Sequence, residues 1–132
     1  MTLEELNTHL AALQTLETAR EVLASLRAAA LSASRLDATP RTPGVGDRTA
    51  ALAMKISQQK DIVASLERTV DASSVTVKEF IDSVTDNRLN VILYLRFVCG
   101  YEWAEVAEII GGRNTENAVK SLVYRFFRSQ AL

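Results

Sequence analysis

Ten positions between Leu52 and Val84 recur at steps of four and three without a break. They are Leu52, Ile56, Gln59, Val63, Leu66, Val70, Ser73, Val77, Phe80 and Val84. Eight are apolar, and the series runs for more than four heptads. A strand shows a period of two and cannot produce this pattern; a helix with a coiled-coil seam does. The spacing predicts one long helix from Asp47, as its cap, to about Val84.

A second long helix precedes it. Thr2 and Glu5 stand at capping-box spacing. Apolar residues then follow at Leu3, Leu6, Leu10, Leu13, Leu16, Ala19, Leu23, Leu26 and Ala30, with one slip near Leu16. No Gly or Pro occurs before Pro40, so the helix is expected over Thr2 to Arg35, about 50 Å at ~1.5 Å per residue. Two prolines and two glycines in Thr39 to Gly46 mark a connector, read as loop 36–47. Gly44 and Gly46 lack the GxxxxGK[ST] pattern of a phosphate loop. Helices joined this way pack as an antiparallel hairpin.

A two-helix hairpin buries a narrow seam, which weighs little against chain entropy. A second chain would supply the missing core as a four-helix bundle. The expectation is therefore a homo-oligomer, most simply a dimer, held by Leu52, Ile56, Val63, Leu66, Val70, Val77 and Phe80. Gln59 and Ser73 would fix register at a cost in stability. The alternative is a monomer whose hairpin packs on its own C-terminal helices.

The last third reads as three short helices. Asp86 is an N-cap, followed by Leu89, Ile92, Leu93, Arg96 and Phe97, and Gly100 closes the helix. Trp103, Val106, Ala107 and Ile110 share one face of a second helix over Glu102 to Ile110, ended by Gly111-Gly112. Asn114 or Thr115 caps a third, with Ala118, Val119, Leu122, Val123 and Phe126 inside. A small residue and a glycine four apart, Ala107 and Gly111, suit a helix-turn-helix. The fold class expected is all-α: a long hairpin over 1–85, then a helix-turn-helix domain over 86–132.

The string from Ile92 to Gly111 resembles region 4 of sigma-70-type factors. It contains Leu95-Arg96-Phe97-Val98-Cys99-Gly100 and then Glu105-Val106-Ala107-Glu108-Ile109-Ile110-Gly111. With its two long helices, Thr39-Pro40 to Asp47 connector and Gly111-Gly112-Arg113-Asn114-Thr115 approach to the last helix, the whole chain resembles small prophage-encoded regulators related to the RinA and ArpU groups. The resemblance implies late-gene transcription control by an oligomer that binds double-stranded DNA. Gly111 and Val119 are eight residues apart, a turn about two residues longer than in region 4.

In such a domain the last helix enters the major groove. Asn117, Lys120 and Ser121 are assigned to base edges: Asn suits adenine and Lys suits guanine. Arg113, Arg125, Arg128 and Tyr124 are assigned to phosphates, and the helix start near Thr115 to a phosphate as well. Two readings compete with a regulator. One is a DNA-packaging factor like a phage small terminase subunit. The other is an adaptor that grips RNA polymerase or another protein without touching DNA.

The chain's net charge is −1, so no global basic field signals nucleic acid. Met1 to Val84 holds 9 basic and 11 acidic residues, and Thr85 to Leu132 holds 6 and 5. No catalytic constellation is legible: His9 is the only histidine and lies on a charged helix. No metal or cofactor motif is read, and no enzyme activity is expected. Cys99 is the only cysteine and lies in an apolar run, read as core. Without an apolar run near ~20 residues or a leader pattern, no membrane span is expected, and the expected location is the cytoplasm of a bacterial host.

Overall fold

A computed structural model describes residues 1–36 and 45–130. Within them the chain is all-α, with a helical hairpin followed by three short helices and no strand. Helix α1 spans Leu3–Leu36, α2 Val45–Asp82, α3 Asn87–Phe97, α4 Trp103–Ile110 and α5 Glu116–Gln130. Most of the connector read at 36–47 lies outside the described residues. Helix α2 already begins at Val45, so Asp47 sits in its first turn rather than at the cap. A carboxylate there still meets the positive end of the helix dipole. Among the described residues, no helix is long and apolar enough to cross a membrane.

The helix starts follow side-chain chemistry. The Thr2 hydroxyl accepts the Glu5 amide at 3.2 Å, and Glu5 Oε2 accepts the Thr2 amide at 3.3 Å. Asp86 caps α3 by accepting the Leu89 amide at 3.2 Å. Glu105 reaches back to the Glu102 amide at the start of α4, at 3.2 Å. Thr115, rather than Asn114, caps α5 by accepting the Ala118 amide at 3.1 Å. Each contact satisfies an amide that the helix itself leaves without a partner.

The chain divides into two compact units. The first comprises Thr15–Thr69, the adjoining lengths of α1 and α2. Its core is thin: Leu16, Ala19, Leu23 and Val63 are buried. Gln59, the polar seam position, donates to the Ala19 carbonyl at 3.0 Å. It therefore fixes register inside the hairpin.

The second unit comprises Met1–Gln14 and Val70–Leu132. Its core joins Leu6 and Leu10 of α1, Val77 and Ile81 of α2, and Val84 beyond it. To these it adds Leu89, Ile92, Leu93 and Phe97 of α3, Val106 and Ala107 of α4, and Val119 and Val123 of α5. The short helices alone would bury too little, and the ends of the long helices supply the remainder. Asn90 clasps α3 to the end of α2: its side-chain amide donates to the Ile81 carbonyl at 2.7 Å and to the Val84 carbonyl at 3.3 Å. The Ile81 carbonyl also accepts the Val84 amide at 3.0 Å, so Asn90 adds a second donor there and one to the carbonyl just past the helix end.

The seam of α2 is partly covered within one chain. Val63, Val70 and Val77 are buried, and Leu52, Ile56, Leu66 and Phe80 are half-buried. Phe80 stacks on Phe127 at 5.9 Å between ring centroids and lies 6.5 Å from Phe126.

His9, although on a charged helix, is buried. It is 4% exposed, and its Nδ1 lies 2.5 Å from Ser73 Oγ. Ser73 also donates to the Val70 carbonyl at 3.2 Å. A hydroxyl has one proton, so with that proton on Val70 it accepts from His9 Nδ1–H. Burial pushes the His9 pKa below its ordinary value of 6.5. The unfolded chain therefore takes up a proton near that value while the folded chain resists it until lower pH. Stability should be full above pH ~6.5 and should fall as pH drops below it. Urea denaturation at pH 7.5 and 5.5 checks this. The His9→Gln variant should lose part of the wild-type pH dependence; an unchanged dependence would contradict it.

Candidate nucleic-acid interface

Helix α5 is presented by a glycine turn. Gly111 has φ +73° and ψ −162°, and Gly112 has φ +67°. The first pair of angles is essentially restricted to glycine. Space is not the reason, since an added Cβ at Gly111 would meet only the Glu108 carbonyl, at 3.9 Å. Asn114 completes the turn by donating its side-chain amide to the Gly111 carbonyl at 2.8 Å. Gly111→Ala is expected to cost about 1–3 kcal/mol through backbone strain alone. A thermal melt checks it; an unchanged Tm would show that the turn relaxes freely.

The α3–α4 turn is braced from within. Gly100 has φ +77°. Arg96 Nη1 donates to the Tyr101 carbonyl at 2.8 Å, and the guanidinium lies 4.9 Å from the Trp103 ring centroid. It also lies 3.6 Å from Glu102. The Trp103 edge meets Phe97 at 6.3 Å. The Arg-aromatic-x-x-Gly string therefore has a structural use: it fixes α4, with Trp103 half-buried against Phe97 and Arg96.

One side of α5 is anchored by buried Val119 and Val123, with Leu122, Phe126 and Phe127 partly buried. The other side carries Asn117, Lys120, Ser121, Tyr124, Arg125 and Arg128, which fall into two rows of three- and four-residue spacing (117, 120, 124, 128 and 117, 121, 125) and so make one face. Arg113 and Thr115 precede it and are exposed. All eight expected DNA-contacting positions therefore lie on the turn and outer side of α5. Only Lys120 is half-buried.

Two of these groups are already engaged. Lys120 Nζ pairs with Glu116 Oε1 at 3.0 Å, one turn away. Such a partly exposed pair is worth little, and a phosphate or base edge can displace the carboxylate. The Thr115 oxygen is occupied by the Ala118 amide, which leaves its hydroxyl proton to give outward. Glu116 in the first turn of α5 opposes a phosphate there. Among the described residues, Arg113, Arg125 and Arg128 form no ion pair.

Two expectations are corrected. Cys99 is exposed rather than core, because α3 ends at Phe97 and Cys99 falls in the following turn. Ala118 is exposed rather than inside α5.

No protein-family model matches the sequence, and neither the curated proteins nor the solved structures contain a match to it.

Proposed function

We propose that the chain is a sequence-specific regulator of transcription that binds double-stranded DNA through α5. It would act as an oligomer, a dimer by preference, in a bacterial host under phage or prophage control. The observation that carries this is the outer side of α5. It is one exposed face of amides, hydroxyls and unpaired guanidinium groups on a helix anchored from behind by Val119 and Val123. Asn117, Ser121 and Lys120 would read base edges, and Arg113, Arg125, Arg128 and Tyr124 would hold phosphates. The resemblance to region 4 supports the same assignment.

A specific observation favours a second reading, an adaptor for RNA polymerase or another protein. Glu102, Glu105 and Glu108 on and beside α4 are exposed, with Ile109 52% exposed among them. This acidic and apolar surface suits a protein better than DNA.

Selection from a random duplex pool separates the two. A regulator should enrich a defined motif, and Asn117→Ala should relax one position of it, worth about 1–3 kcal/mol of discrimination. Failure of the folded wild-type chain to enrich any sequence would remove the regulator reading and leave the adaptor.

A further inference from the structure

The unit that carries α5 is acidic. Met1–Gln14 with Val70–Leu132 holds 7 Lys and Arg against 10 Asp and Glu, a net of −3. Thr15–Thr69 holds 8 against 6, a net of +2. If DNA is the ligand, much of the attraction must come from outside the helix that reads it, because phosphate neutralisation dominates affinity.

That unit has a groove where cations converge. It has a volume of about 440 Å³ and runs between α1 and α2. Leu23 and Val63 form its buried apolar floor, and Arg20, Arg27, Lys60 and Glu67 line it. Arg20 and Arg27 are seven residues apart, two turns on one face of α1, which separates them by about 10 Å along the axis. Arg20 Nη2 pairs with Glu67 Oε1 at 3.2 Å, so the one carboxylate is neutralised. Arg27 and Lys60 remain, both exposed and without an ion pair among the described residues. A groove with two uncompensated cations and a held guanidinium suits the phosphodiester chain, which carries a charge every ~3.4 Å of axis on each strand.

We infer that this groove is a second DNA contact, which holds backbone phosphates through Arg27 and Lys60 and reads no sequence. The inference rests on the DNA-binding reading above. It assigns a function to the hairpin beyond supporting the C-terminal helices.

The test uses the full chain and a labelled mixed-sequence duplex in a salt series. Arg27→Ala with Lys60→Ala should make the slope of log affinity against log salt shallower by about 1.8, at ~0.9 per phosphate. That corresponds to a loss on the order of fiftyfold at 0.1 M salt. Lys55→Ala with Arg68→Ala removes the same charge from exposed positions outside the groove lining. That control should change the slope much less. Circular dichroism confirms that both variants keep their helices. Equal losses in the two variants would make the effect one of net charge, and an unchanged slope in the first would exclude contact; either overturns the groove. If the groove fails while Arg125→Ala with Arg128→Ala still weakens binding, the α5 reading survives. Absence of wild-type binding at low salt would overturn both.

Discussion

Replacing Arg125 and Arg128 together with alanine is expected to weaken binding to duplex DNA on the order of fiftyfold at 0.1 M salt, with a salt slope shallower by about 1.8. Both side chains are exposed on the outer side of α5, and neither forms an ion pair among the described residues. Their removal therefore breaks no internal contact of that kind, and the melting temperature should stay within about 1–2 °C of wild type. Fluorescence anisotropy with a mixed-sequence duplex reads the affinity, and circular dichroism reads the fold. The sign is instructive because α5 lies in a unit of net negative charge: two lost cations are a large share of what that surface offers. Wild-type affinity in the double variant would place the DNA contact elsewhere or nowhere.

Phe97→Ala should be the most damaging single substitution, costing about 3–5 kcal/mol. Phe97 is fully buried, and its ring meets Trp103 edge-on at 6.3 Å. It belongs to α3 but packs against the start of α4, so its loss leaves a cavity where two helices and the Arg96 brace converge. Many domains hold only ~5–15 kcal/mol in total, so the loss takes a large share. Urea denaturation should show a much lower midpoint. Phe97→Leu, which refills most of the volume, should recover the greater part of it. A midpoint unchanged in the alanine variant would mean that the three short helices are not held together at this point.

What was legible in the sequence was governed by local rules. The capping box at Thr2 and the N-cap at Asp86 act through amides three residues away, so their spacing alone found them. The α2 heptads gave the buried stripe correctly, because period fixes which side of a helix is apolar. Period does not say what covers that stripe: Val63, Val70 and Val77 are buried within the single chain, and Leu52, Ile56, Leu66 and Phe80 only partly. On α3 the same rule picked out Leu89, Ile92, Leu93 and Phe97, all buried, and left aside Tyr94, which is exposed. His9 had a signal that was passed over: it precedes Leu16, Leu23 and Ala30 at steps of seven, which puts it on the inner side of α1. Its partner Ser73 is 64 residues distant, and that contact follows only from the hairpin. Asn90 was invisible for a related reason. Its carbonyl acceptors at Ile81 and Val84 require α3 to fold back across the end of α2. The outer side of α5 was legible because its core residues are confined to one stripe. Which of its cations is free was not, since Glu116 claims Lys120 rather than an arginine.

The most direct test is the affinity of the intact wild-type chain for duplex DNA between 50 and 200 mM salt, values chosen to span the range where phosphate contacts are most visible. If α5 lies on DNA, log affinity should fall linearly with log salt, with a slope at least as steep as about −2.7 for the arginines at 113, 125 and 128 at ~0.9 each. No measurable binding at the lowest salt, with the chain folded, would contradict the DNA-binding claim and direct attention to the acidic surface of α4.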